Sequence, residues 1–221
     1  PITFERIADI QNRTREMPYR QVPDSIDFLL VRAKLRALQG RPQDAVAQFK
    51  SRLQEKRYSN EAVERYGHVH ALLRDKQHKQ ANTELAQLYQ TLQKDTASPI
   101  LTDHLLGKTV RIEHKNVIAG AMIETLAASV KLANGKTTEA FNTYKSALKI
   151  YPQHRALIHG YADALIKNKQ TETALEFINK QLQLFHNDPQ LFGLQAQCYP
   201  ILGDRTPEHR AQAEVYFLKR H

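Results

Sequence analysis

The sequence predicts an all-α protein built from stacked antiparallel helix pairs, and three observations support this fold class. Apolar residues recur at steps of three and four, as on one face of a helix, at Ala140, Tyr144, Ala147, Leu148 and Tyr151. No stretch alternates strictly between apolar and polar residues in the way that a half-buried strand does. Similar segments also recur at a fixed interval of 34 residues.

The 34-residue interval links small residues and turn residues of successive segments. Three sets of residues repeat at this interval: Ala128, Ala162 and Ala196; Ala140 and Ala174; Gly135, Lys169 and Gly203. Alanines let paired helices approach closely where they cross, and Gly135 tolerates the unusual backbone angles of a tight turn. A unit of two helices and 34 residues has the tetratricopeptide (TPR) period. The sequence therefore predicts a TPR superhelix.

The N-terminal half contains weaker copies of the same unit. Ala33 and Ala45 take the helix-crossing positions of the first copy. Gly67, 34 residues after Ala33, and Ala81 take those of the second. Because Ala81 follows Ala45 by 36 residues, we expect the turn between the two helices of the second copy to be two residues longer.

Catalytic and metal-binding patterns are missing from the sequence. Its ten histidines include no HExxH, and its single cysteine, Cys198, permits neither an internal disulfide nor a multi-cysteine metal site. Phosphate-binding glycine loops and a GxSxG motif are also missing. We therefore predict that this chain is not an enzyme and binds no cofactor. Its longest apolar run, 117–123, is too short for a transmembrane segment.

The net charge of +9 is the one unusual feature of the composition. Basic residues are spread along the chain in ones and twos, which favours a mildly basic solvated surface over a nucleic-acid site. An RNA-binding helical-repeat protein remains a less favoured alternative. Such proteins read bases with the same residue types in every unit, whereas the corresponding positions vary here.

The first helix of each unit is expected to line the concave wall of the superhelix. The residues predicted to face a protein or peptide partner there are Lys34, His68, Ser129, His159, Asp163 and Gln197. This set is mixed in charge and includes an acid, which argues against a clamp for a terminal carboxylate. A free-standing TPR adaptor or co-chaperone scaffold is the alternative function, and a carboxylate clamp would have favoured it.

Two stretches resemble a known family. The first includes Glu5 to Asp9, Asn12, Arg13, Pro18, Asp24, Ser25, Asp27, Phe28, Arg32 and Ala33, and the second is 202–218. The first resembles the junction between protease and repeats, and the second resembles the last repeats, of the periplasmic zinc metallopeptidases that carry a C-terminal TPR domain.

The resemblance implies a location, partners and a missing domain. In that family an N-terminal HExxH domain binds zinc and cleaves misassembled outer-membrane proteins, and the TPR domain engages substrate, the protease domain in cis or the outer-membrane assembly machinery. No catalytic residue of the family maps onto this chain, so zinc is expected only in the missing protease domain. The implied compartment is the periplasm, although the residues themselves do not exclude the cytoplasm.

Five parts make up the predicted organisation. They are a linker helix from a missing N-terminal domain at 1–24, two TPR-like helix pairs at 25–92, an irregular helical segment at 93–118, two TPR units at 119–188, and partial C-terminal TPR helices at 189–221. Within the last part, 208–221 is predicted to be the first helix of a further unit whose second helix is missing.

Overall fold

The computed structural model describes residues 3–15, 24–94, 117–203 and 205–220, and within these ranges the chain forms eleven α-helices and no strand. The predicted all-α fold class is confirmed. The helices are α1 (Phe4–Arg15), α2 (Ile26–Leu38), α3 (Pro42–Gln54), α4 (Glu61–Arg74), α5 (His78–Lys94), α6 (Val117–Ala133), α7 (Thr137–Ile150), α8 (Arg155–Lys167), α9 (Thr171–Leu184), α10 (Pro189–Leu202) and α11 (Arg205–Lys219).

Side chains and prolines place several of the helix ends. Asn60 accepts a hydrogen bond from the Val63 N–H and caps α4, because it satisfies one of the unpaired N–H groups of the first turn. Pro42 and Pro189 begin α3 and α10, where the missing N–H of proline costs nothing. At the other end, α7 stops before the Tyr151–Pro152 step, as the sequence predicted.

The turns inside the helix pairs share one backbone feature. Each contains a residue with a positive φ, and these residues are Gly40 (59°), Lys76 (60°), Gly135 (76°), Lys169 (59°) and Gly203 (82°). The predicted 34-residue steps of the turn position, from Gly135 to Lys169 and Gly203, are therefore confirmed. We call these five residues the turn residues and count positions in each unit from them.

This counting corrects the predicted location of the two extra residues. The turns after α2 and α4 have the same length, at 39–41 and 75–77, so the prediction of a longer second turn is wrong. The extra residues lie in the connection between units instead. The connection from α3 to α4 spans 55–60, six residues, whereas those before α8 and α10 have four, at 151–154 and 185–188.

The helices form an inner and an outer layer. The first helices of the pairs, α2, α4, α6, α8 and α10, each pack against the next one along the chain, and α2 also contacts α6. The second helices α3, α5, α7 and α9 pack on first helices. Because first helices contact one another across units, they form the inside of the curve.

Helix α11 belongs to the last pair. It packs along α10 after a short turn at Gly203, as the second helix of a pair does. The prediction that 208–221 forms the first helix of a further unit is therefore wrong. The predicted irregular segment at 93–118 lies mostly outside the described residues, since α5 continues to Lys94 and α6 begins at Val117.

Small residues at the helix crossings are buried as the packing requires. The exposed fraction is at most 8% at Ala33, Ala45, Ala81, Ala128, Ala140, Ala162, Ala174 and Ala196. Gly67 is also buried, although its position in the unit differs from that of Ala33. It lies nine residues before its turn residue, as Gly160 does, whereas Ala33 lies seven before. Val69 takes the Ala33 position in the second unit.

Candidate functional site

One row of residues runs along the inner layer, six positions before each turn residue. It consists of Lys34, His70, Ser129, Asp163 and Gln197, and we call it the inner row. Four of the six residues predicted from the sequence lie in it. The fifth member is His70, which the prediction missed because its count for α4 was two residues out of step.

The charge of Lys34, in the N-terminal part of this row, affects two histidines. Burial and, to a smaller extent, the positive charge of Lys34 together lower the pKa of His70 to about 3. Burial and the same lysine also lower the pKa of His154, which precedes α8. The positive charge of Lys34 on α2 therefore acts both on His70 of α4 and on His154 before α8. At neutral pH both histidines are uncharged, so Lys34 provides the positive charge at this end.

His68 does not belong to the inner surface, and its prediction as a groove residue is wrong. Its side chain is buried, with Nδ1 3.5 Å from Glu84 Oε2 on the second helix α5. Arg65 donates a 2.6 Å hydrogen bond to the same carboxylate. Two residues correspond to about 200° around a helix, so His68 and His70 point to opposite sides of α4.

His159 lies on α8 but is held in a contact within the protein. Its Nε2 donates a 2.8 Å hydrogen bond to Asp188, which also accepts from the N–H groups of Gln190 and Leu191 and so caps α10. Burial raises the pKa of Asp188, but these hydrogen bonds outweigh burial and hold it below its usual range. The side chains of His159 and Asp188 are 13% and 3% exposed, so the pair ties α8 to α10 instead of offering a binding group.

The C-terminal half of the inner row is more open. Asp163 accepts a 2.6 Å hydrogen bond from Lys167 one turn later, and both are accessible, with 39% and 72% of their side chains exposed. Gln197 is exposed on α10. A Cβ added to the neighbouring Gly193 would meet no atom within 4 Å, which marks open space there. Ser129 is half-buried and donates to the Thr125 carbonyl. This surface can offer hydrogen bonds and a few charges.

A buried ion-pair network joins the first two units. Glu64 is 3% exposed and accepts hydrogen bonds from Arg36 at 3.2 Å and from Arg52 at 2.6 Å. Arg36 also lies over the ring of Phe49, 4.7 Å from its centre. With two guanidinium groups on one buried carboxylate, this network fixes the packing of α2, α3 and α4.

The residues that the structure describes offer neither a metal centre nor a reactive cysteine. Within them, no group of three or more histidine, cysteine, aspartate or glutamate side chains could hold a metal ion. Cys198 is buried, and burial raises the pKa of its thiol to about 11, which suppresses the reactive thiolate. Among the described helices, none combines the length and the apolar character needed to cross a membrane.

Paired helices, left-handed turns and a row of polar residues on the first helices together define a fold of the tetratricopeptide-repeat type. In agreement, the tetratricopeptide-repeat family model matches residues 131–198, from the end of α6 into α10. The chain is also similar to the β-barrel assembly-enhancing protease of Yersinia pestis, with 20% identity over 219 residues. The match covers 99% of this chain, which spans 40% of the length of that relative.

Proposed function

We propose that this chain is the protein-binding TPR domain of a larger zinc-dependent metallopeptidase. In this proposal its inner row engages substrate, the protease domain in cis or outer-membrane assembly machinery in the periplasm. The observation that carries the proposal is the continuous inner row, with accessible members on α2, α8 and α10. The similarity to the assembly-enhancing protease supports the choice of partners.

The chemistry of the inner row suits a polar protein segment better than an apolar one. Lys34, Asp163 with Lys167, and Gln197 offer charges of both signs and an amide group. Polar contacts of this kind give specificity and steer association, but the cost of desolvating polar groups and of ordering side chains offsets much of the free energy that the contacts contribute. We therefore expect modest affinity that weakens as salt screens the charges.

Site-specific photocrosslinking in the full-length protein, in its native envelope, tests this proposal. A photoreactive amino acid replaces Lys34, Asp163 or Gln197 in three separate variants. Exposed positions on the second helices, Lys145 of α7 and Glu176 of α9, serve as matched controls. We expect crosslinks from the inner row to a protease domain, an outer-membrane protein or an assembly component. Crosslinks from the two controls alone would contradict the proposal.

A further inference from the structure

A cleft of about 740 Å³ opens on the outer side of α4, away from the inner row. Its walls are the second helices α3 and α5, and Arg65 and His68 of α4 form its floor. The volume lies within the range of about 300–1,000 Å³ that is usual for ligand pockets. We call it the outer cleft.

The equivalent groove over α8, between α7 and α9, is closed by aromatic side chains. Tyr161 of α8 packs edge-to-face against Phe141 of α7, with ring centres 6.0 Å apart. It packs in the same way against Phe177 of α9, at 5.0 Å. Three rings from three helices thus fill the space between the two second helices.

Each of these rings has an equivalent in the outer cleft when positions are counted from the turn residues. The equivalents are Val46 for Phe141, His68 for Tyr161 and Glu84 for Phe177. All three side chains around α4 are smaller than the rings, and two are polar. The outer cleft is therefore the space that the aromatic residues occupy two grooves further along the protein.

The floor of the outer cleft has an unused hydrogen-bonding group. His68 is only 8% exposed; its Nδ1 lies 3.5 Å from Glu84 Oε2, and its Nε2 makes no hydrogen bond with the described residues. A buried polar atom without a partner costs about 1–3 kcal/mol in a folded protein, so such atoms are uncommon without a reason. Because Nε2 itself is buried, a ligand in the cleft would bond to it only after the imidazole turns toward the cleft.

Glutamine side chains dominate the walls. Gln43 and Gln54 come from α3, and Gln80 and Gln87 come from α5. The side chains of Gln43, Gln54 and Gln80 make no hydrogen bonds with other described residues, and the side-chain oxygen of Gln87 accepts one from Arg65. A carboxamide carries both a donor and an acceptor, which is also what a peptide group presents.

The charges that line the cleft cancel formally. Lys50 and Arg65 are balanced by Asp75 and Glu84, and Glu84 is already paired with Arg65. A strongly charged ligand, such as a phosphorylated segment or a nucleic acid, would find no excess of opposite charge. The lining instead favours an uncharged ligand that is rich in amide groups.

We propose that the outer cleft binds an uncharged, extended peptide segment through its main chain. The wall glutamines and His68 would bond to successive peptide groups. Gln43 and Gln54 are eleven residues apart on α3, about 16 Å at 1.5 Å per residue, which accommodates about five residues of an extended strand. This site is separate from the inner row and does not depend on the function proposed for that row.

Peptide selection and fluorescence polarisation test the proposal on the purified chain. Heptapeptides selected from a random display library are labelled, and their affinities are measured at low and high salt. Gln54→Ala and Gln80→Ala remove wall amides, while Gln48→Ala and Gln90→Ala are matched controls at exposed positions of the same two helices outside the cleft. The double variant V46F/H68Y introduces bulk like that of the aromatic groove.

We expect each wall variant to weaken binding about 2- to 10-fold, the loss of one hydrogen bond. The two controls should bind as wild type, and V46F/H68Y should abolish binding. Affinity should change little with salt, and peptides methylated at alternate main-chain nitrogens should not bind. If V46F/H68Y fails to fold by circular dichroism, the two wall variants decide the question.

Three results would overturn the proposal. The first is that no peptide binds the wild-type chain. The second is that methylated peptides bind as well as unmethylated ones, because recognition would then not use the main chain. The third is binding that survives the cleft variants but is lost in Asp163→Ala or Gln197→Ala. That result would place the peptide on the inner row, where it would support the proposed function instead.

Discussion

Replacing Gly67 with alanine tests how successive units pack. A Cβ built on Gly67 would lie 2.3 Å from Cε1 and 2.5 Å from Cζ of Phe49, and 3.2 Å from the Ala33 Cβ. The Phe49 ring is fully buried, so a shift of the ring would disturb the packing around it. Overpacking of this kind costs about 1–3 kcal/mol, and the better helix propensity of alanine returns about 1 kcal/mol. We therefore expect a net loss of up to about 2 kcal/mol.

Gly193→Ala is the matched control, because it makes the same substitution inside a helix where an added Cβ meets nothing within 4 Å. Only the propensity gain remains there, so stability should rise by up to about 1 kcal/mol. At about 2–4 °C per kcal/mol for a chain of this size, thermal denaturation followed by circular dichroism should show Tm shifts of opposite sign.

A double-mutant cycle with Phe49→Leu identifies the contact that causes the loss. The smaller side chain should accept the new methyl group, so the double variant should lose less stability than the two single variants together. The reasoning would be refuted if Gly67→Ala raised Tm as Gly193→Ala does. Additive losses in the cycle would also refute it, because the clash would then not involve Phe49.

Four further predictions concern stability and metal content. Ala140→Trp or Ala174→Trp should lower Tm and reduce the free energy of unfolding by about 1–3 kcal/mol or more, because both alanines are fully buried where helices cross. A neutral effect of either substitution would contradict the repeat packing. Burial raises the pKa of Glu124 to about 7, so the folded protein keeps a proton on this side chain that the unfolded chain releases above about pH 4.5. The free energy of unfolding therefore falls as the pH rises from about 4.5 to about 7. Glu124→Gln should stabilise the protein by about 3 kcal/mol at pH 8 and hardly at all at pH 4.5, and equal gains at both pH values would refute this cause. Asp188 has a lowered pKa, so its contribution to the free energy of unfolding is complete above the usual aspartate pKa of about 3.9 and is lost as the pH falls below it. Urea titrations at several pH values should show the stabilities of wild type and Asp188→Asn converging in acid. Stability curves that stay parallel would count against the pairing of Asp188 with His159. The purified chain should retain no stoichiometric zinc after dialysis and should not cleave casein, and zinc in atomic absorption or chelator-sensitive cleavage would contradict its assignment as a non-catalytic domain.

The repeat architecture could be predicted from the sequence because its physical requirements fall on residue types. Helix crossings need small side chains, and a turn with positive φ favours glycine, so alanines and Gly135 recur at the interval of the unit. Lys169 has the same backbone conformation without being glycine, and only its place in the period indicated this. The pairing of α11 with α10 was missed because α11 has no alanine at the expected position, where Glu208 stands.

The candidate site was less predictable, since partners depend on contacts between distant parts of the chain. A period indicates that His159 lies on a first helix, but not that Asp188, 29 residues later, binds its ring. His154 precedes a helix and belongs to no periodic set, so nothing in the pattern indicated that it lies near Lys34. Periodicity identifies a face of a helix, and the neighbouring elements decide whether that face is accessible.

The assignment of residues to faces of α4 is wrong because the two extra residues of the second unit lie before α4 and not after it. If they lay in the turn after α4, this helix would stay in phase with α2. Because they lie at 55–60, every assignment on α4 is rotated by about 200°. That rotation exchanges His68 for His70 on the inner row. The sequence did contain the information needed, because Asn60 is a strong N-cap residue and fixes the start of α4. Counting from helix caps and turn residues, instead of from the alanines alone, would have placed His68 opposite Glu84 and so indicated the outer cleft.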